Sequence, residues 1–381
     1  MKKSAARLLL LLVAAATLVA ALVWATPKLM RRFYTHGLTV VPVATGLDTP
    51  WAFVFLPDGR MLVTERPGRM RIVERDGRLG APLAGLPPVW SQGEGGLMDV
   101  VLDPDFPHNQ RVYWSFSEPD ASNAALASTA VARGRLAGEQ LSEVQVIYRQ
   151  PVKTGDSRHF GSRLLFDRAG HLFVGLGDRF QRDDAQRLGS AHGKILRLWP
   201  DGRAPADNPF AGTPGALPEV WSYGHRNVQG LAIHPQTGQL WASEHGPRGG
   251  DELNLIQPGR NHGWPVITYG CEYKGCAPIG EGMAKAGMEQ PVLWWGPEST
   301  PPSALLFVTS DRYPGWKGQL LVATFRNGAF TRVTLDGQRV VAKDAVYLAG
   351  NERVRDLKQG PDGLIYLLAN VPEGRILRLE P

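Results

Sequence analysis

Apolar residues along this chain come in short runs, each reached through a polar turn rich in Pro, Asp and Gly. The beat is plainest in Phe55-Leu-Pro-Asp-Gly-Arg-Met-Leu-Val-Thr-Glu65 and Leu165-Phe-Asp-Arg-Ala-Gly-His-Leu-Phe-Val-Gly-Leu-Gly-Asp178. It returns in Ile233-His-Pro-Gln-Thr-Gly-Gln-Leu-Trp-Ala-Ser-Glu244 and Gln359-Gly-Pro-Asp-Gly-Leu-Ile-Tyr-Leu-Leu368. Looser copies lead from Val101-Leu-Asp-Pro-Asp-Phe106 into Val112-Tyr-Trp-Ser-Phe116, and through Gly315-Trp-Lys-Gly-Gln-Leu-Leu-Val-Ala323. Runs of β-branched, aromatic and large apolar residues bounded by such turns predict strands. Six units, about 45 to 80 residues apart, predict a radial all-β architecture with its chemistry at the centre.

Composition agrees. The 44 glycines and 30 prolines suit many tight turns and do not suit helix interiors. No Gly/Ser-rich or Pro-rich linker divides the chain, and the repeat crosses every midpoint, so one propeller filling residues 38–381 is expected.

Residues 1–36 read differently. Lys2, Lys3 and Arg7 precede Leu8–Ala25, an uncharged run of 18 residues, and Lys28, Arg31 and Arg32 follow it. That pattern predicts export. Small residues around Ala20–Ala25 suit a signal peptidase, while the length of the run and the basic cluster behind it suit an uncleaved membrane anchor. Cys271 and Cys276 are the only cysteines, and in an oxidising compartment they read as a small loop disulfide. Two thiols fall short of the four ligands of structural zinc. The net charge of +6 includes the basic ends of the leader, and no Lys/Arg block tracks a phosphate backbone.

Four stretches interrupt strand-like sequence with charge, Gly and His. His159, between Arg158 and Arg163, sits just before a strand, as a general base or as an ordinary turn histidine. In Gly224-His-Arg-Asn227, Arg226 offers a planar fork for an anion or a loop carboxylate, and Asn227 both donates and accepts. The Gly246-Pro247 turn, close to Glu244 and Asp251, offers oxygen ligands of the kind calcium takes, or is simply a polar turn. Arg353 and Arg355 share one face of a strand, facing an anion or solvent.

Together these stretches resemble the pyrroloquinoline-quinone (PQQ) dependent aldose sugar dehydrogenases of the glucose/sorbosone dehydrogenase family. The likeness runs from about Gly46 to Leu379 through Gly95-Gly-Leu-Met-Asp, His159, Tyr223-Gly-His-Arg-Asn, Glu244-His-Gly-Pro, Asp251-Glu-Leu-Asn254 and Arg353-Val-Arg-Asp356. That family is a six-bladed β-propeller of four-stranded antiparallel blades, in agreement with the six units counted here. The resemblance implies that His159 takes a proton from the anomeric hydroxyl as hydride passes from the sugar to PQQ, giving a lactone. It implies that Arg226 steadies the quinone oxygen beside Asn227, that the carbonyls of Gly246 and Pro247 hold calcium, and that Arg353 and Arg355 face the cofactor's carboxylates.

It further implies that electrons leave to a quinone, cytochrome or dye; no dinucleotide fingerprint suggests a nicotinamide. Two positions depart from the family pattern. Glu94 stands where relatives commonly have a cofactor-contacting glutamine, adding negative charge that an arginine or a proton must answer. Arg326 stands near where relatives commonly have a lysine that reaches the cofactor, keeping the charge with another shape and reach. Competing expectations are a calcium-dependent propeller lactonase and a membrane-tethered propeller that binds a protein or glycan without catalysis.

Overall fold

The computed structural model describes residues 37–326, 328–348, 353–371 and 373–381. Six four-stranded antiparallel sheets are arranged as blades around one axis. Their innermost strands are Pro50–Phe55, Leu97–Leu102, Gly161–Phe166, Val228–Ile233, Pro302–Phe307 and Val354–Gln359, which pack side by side in that circular order. Each of the six repeats is the hairpin that joins an inner strand to the second strand of its blade, as at Leu56–Arg60 and Gly360–Leu364.

The last blade takes its outer strand from the other end of the chain. Thr39–Leu47 pairs with Gly374–Glu380, Thr39 opposite Glu380 and Val40 opposite Leu379. This ties the two ends of the chain into one blade and closes the ring, with Thr39–Leu47 as that blade's outer edge strand. Fully buried apolar side chains fill the spaces between sheets: Phe53 and Val63 pack with Leu357 and Leu367, and Trp114 packs with Leu62 and Met98.

A shared irregularity shapes the axis. Every inner strand bulges near its start, leaving Trp51, Met98-Asp99, Ser162-Arg163, Gln229, Ser303 and Arg355 out of register with the second strand. A bulge twists the strand and re-aims side chains. These residues meet around the axis, and Arg163 is their hub. Its Nε donates to Gln229 O (2.8 Å), Nη2 to Ser303 O (2.8 Å), and Nη1 to Asp99 Oδ1 (3.2 Å) and Asp356 Oδ1 (3.1 Å). Its guanidinium carbon lies 4.5 Å from the Trp51 ring centroid. One side chain from the third blade thus touches the other five.

The expected cysteine staple is present: Cys271 and Cys276 form a disulfide in a long loop of the fourth blade. Among the described residues no helix is long and apolar enough to cross a membrane. The leader or anchor expected over residues 1–36 lies outside the described residues.

Candidate functional site

Backbone strain marks the site. His159 has φ 54°, and Ser162, Arg179 and Phe180 also take positive φ, at 84°, 49° and 60°. In non-glycine residues such conformations cost on the order of 1–3 kcal/mol each and persist only where surroundings over-determine them. Here they do. Glu94 Oε2 accepts the His159 N–H at 2.7 Å. Arg179 lies on the Phe160 ring, 3.5 Å from its centroid, and donates to the carbonyls of Asp156, Arg158 and Ala127.

The result is an imidazole with one orientation. His159 Nδ1 lies 2.7 Å from Asp178 Oδ1, which also accepts the Phe180 N–H at 2.9 Å; Asp178 Oδ2 accepts from Trp264 Nε1 at 2.8 Å. Burial pushes the Asp178 carboxyl up, but the hydrogen bond and charge of His159, with Arg226 nearby, leave it below its ordinary value. An ionised Asp178 keeps the proton on Nδ1, so Nε2 carries the lone pair a general base needs. Sequence reading missed Asp178 as a site residue. Its signal is faint: a single acid closing Gly175-Leu-Gly-Asp178 at the end of the apolar strand Leu172–Leu176.

His159 lines a cavity of about 360 Å³ at the propeller centre, with Glu94, Arg226, Gly246, Arg353 and Arg355 among the sequence-predicted residues. Arg66, Gln229, His245, Asp251 and Tyr273 also line it and were not predicted to do so. The charge balance is one-sided: four arginines against the carboxyl groups of Glu94 and Asp251. Arg226 donates from Nη1 to the carbonyls of His245 (3.0 Å) and Gly246 (2.6 Å), and its Nε is buried without a protein partner among the described residues.

Arg355 lies 3.6 Å from the Trp51 ring centroid and donates to Gln229 Oε1 at 2.6 Å, and its Nε is likewise buried and unpartnered. Burial, then the charges of Arg163 and Arg66, hold its basicity well below that of a free guanidinium. Arg353 rests against Phe325, 4.8 Å from the ring centroid. Buried cations with unused N–H groups suit an anionic ligand.

The remaining predicted residues are placed as follows. Glu94 is answered by charge, with the Arg66 guanidinium held on the carbonyls of Gly93 and Gly95 on either side. Asn227 is fully buried and does not line the cavity itself; its Oδ1 accepts from the cavity-lining Gly161 N at 3.0 Å. Arg326 is not brought to the cavity. It pairs with Glu298 and donates to Ser299 O (2.9 Å) in a neighbouring cleft.

The Gly246-Pro247 turn needs its glycine, because a Cβ there would stand 1.8 Å from Gly250 O. Gly246 O accepts from Arg226, and Pro247 O from Gly250 N at 3.1 Å. Asp251 accepts from Gly246 N (3.1 Å) and Thr300 N (2.7 Å), and burial pushes its carboxyl up to about 6. Among the described residues no group of three or more His, Cys, Asp or Glu is arranged for a metal. A cation here would rest on carbonyl oxygens, each with a lone pair beyond its single hydrogen bond, and on Asp251. That donor set is hard enough for calcium.

Fold and site define a propeller with a strained, acid-oriented histidine facing an arginine-lined axial cavity. The chain belongs to the glucose/sorbosone dehydrogenase family, whose profile matches residues 47–378. It is 40% identical over 367 residues to the aldose sugar dehydrogenase YliI of Escherichia coli, covering 95% of this chain and 96% of that protein. The crystal structure of the soluble aldose sugar dehydrogenase from Escherichia coli, in its apo form, superposes with a TM-score of 0.87 at 41% identity, covering 90% of this chain and 99% of that one. The PQQ-bound aldose sugar dehydrogenase from Streptomyces coelicolor gives 0.72 at 32% identity, over 90% of this chain and 98% of that one.

Proposed function

We propose that the protein oxidises aldose sugars at C1 to lactones, using PQQ seated by calcium, and passes the electrons to a quinone, cytochrome or dye. The observation that carries this reading is the His159–Asp178 pair facing a cavity whose arginines keep unpartnered N–H groups. When bound, PQQ supplies the hydride acceptor. The chain's own residues do the rest.

His159 Nε2 takes the proton of the anomeric hydroxyl, and Asp178 stabilises the imidazolium that forms. Arg226 offers its free N–H to oxygen that gains negative charge, from a guanidinium already fixed by two carbonyls. Arg353 and Arg355 hold carboxylates. The carbonyls of Gly246 and Pro247 are the candidate calcium ligands, and the ion would polarise the cofactor as a Lewis acid. The uncharged run at residues 8–25 and the disulfide support a place outside the cytoplasm, with membrane association through that run.

Replacing Arg353 and Arg355 together with alanine tests the cofactor side. A spectral titration of the apoprotein with PQQ is expected to show binding weakened at least about tenfold, since one buried cation, Arg355, and one exposed cation, Arg353, are lost. Unaltered affinity would mean that these arginines face something else.

A further inference from the structure

Gln229 lines the cavity between two residues of the site. This bulge residue of the fourth blade is 6% exposed. Its main chain is pinned by Arg163 Nε on Gln229 O. Its side chain spans two residues of the site: Oε1 accepts from Arg355 Nη1 at 2.6 Å, and Nε2 donates to Asn227 Oδ1 at 3.0 Å. Asn227 Oδ1 also accepts from Gly161 N, two residues beyond His159. Guanidinium and main-chain N–H groups only donate. Arg355 therefore requires an oxygen from Gln229, which turns the amide nitrogen to Asn227. Asn227 in turn must offer oxygen, because both Gly161 and Gln229 reach it as donors. The direction of the whole chain is set at its two ends.

We propose that Gln229 is a positioning residue for the cofactor. Its neutral amide orients Arg355 without cancelling the charge of the guanidinium, and ties that cation through Asn227 to the segment that carries the base. The chemistry explains why an amide stands here. A carboxylate would accept from Arg355 equally well, but it would neutralise the cation and could not donate to Asn227. An apolar side chain would leave the cation unneutralised and merely less well aimed. This inference rests on the PQQ reading above.

The test compares Gln229→Glu with Gln229→Met in PQQ titrations of the apoprotein, with thermal melting as the check on folding. Both variants are expected to bind PQQ more weakly than the wild type, and Gln229→Glu more weakly than Gln229→Met, by about tenfold or more against the wild type. A purely structural hydrogen-bonding role predicts the reverse order, because glutamate keeps the Arg355 contact and methionine keeps neither. That reverse order, or wild-type affinity in Gln229→Glu, overturns the proposal. If the wild type itself takes up no PQQ, the cofactor reading fails, and crystal structures of the apoproteins decide the hydrogen-bonded chain from Arg355 through Gln229 and Asn227 to Gly161. Gln229→Glu is then expected to keep Arg355 and to shift Asn227 off Gly161 N; an unmoved Asn227 overturns it.

Discussion

His159→Ala is expected to lower aldose-dependent dye reduction by about 10²- to 10⁴-fold, the usual contribution of a positioned general base. The loss should fall on turnover, with PQQ and calcium binding retained, because the cavity arginines and the Gly246-Pro247 turn do not depend on the imidazole. Asp178→Asn is the companion test. Asparagine can offer an N–H toward Nδ1, which favours the tautomer with its proton on Nε2 and removes the base from the cavity side. Turnover should therefore fall in Asp178→Asn although His159 is still present. Unchanged turnover in His159→Ala would remove the histidine from the mechanism; loss in His159→Ala alone would leave Asp178 a bystander.

Arg163→Met is expected to give the largest loss of stability. Arg163 is 3% exposed, and the two acids it bridges, Asp99 and Asp356, are fully buried. Burial already pushes the Asp99 carboxyl up against the pull of Arg163 and Lys358. Removing the guanidinium leaves two carboxyl groups, and the carbonyls of Gln229 and Ser303, without their central donor. Loss of one partner from a buried ion pair costs about 3–5 kcal/mol. Urea unfolding should therefore show a lower midpoint at an unchanged slope. A midpoint like that of the wild type would mean that the axis is held by blade packing alone.

The architecture was legible because each inner hairpin repeats the same physics. Phe55 to Glu65 and Gln359 to Leu368 both reach an apolar second strand across a Pro-Asp-Gly turn, and looser turns of Pro, Asp or Gly mark the other four hairpins. Outer strands were not legible. Leu79–Pro82 and Leu293–Trp295 are short and partly exposed, so no alternation of apolar and polar residues marks them. Closure by Thr39–Leu47 depends on pairing with residues more than three hundred positions away, which no local window contains.

The site divides in the same way. His159, Arg226, Gly246, Arg353 and Arg355 stand in dense polar stretches, and all of them line one cavity. Asp178 and Gln229 are single polar residues beside or within apolar strands. Their meaning comes from a strand end and a bulge, neither of which is written in neighbouring residues. Arg326 shows the opposite failure. The family resemblance set it near the cofactor, but Glu298 and Ser299 O draw its guanidinium into the next cleft.

The most direct test of the account is aldose-dependent dye reduction by the purified protein with PQQ and calcium together, and then with each omitted. The account predicts activity only when both are present. Full activity without PQQ, or no activity in a sample whose spectrum shows PQQ bound in the presence of calcium across a panel of aldoses and acceptors, would contradict it.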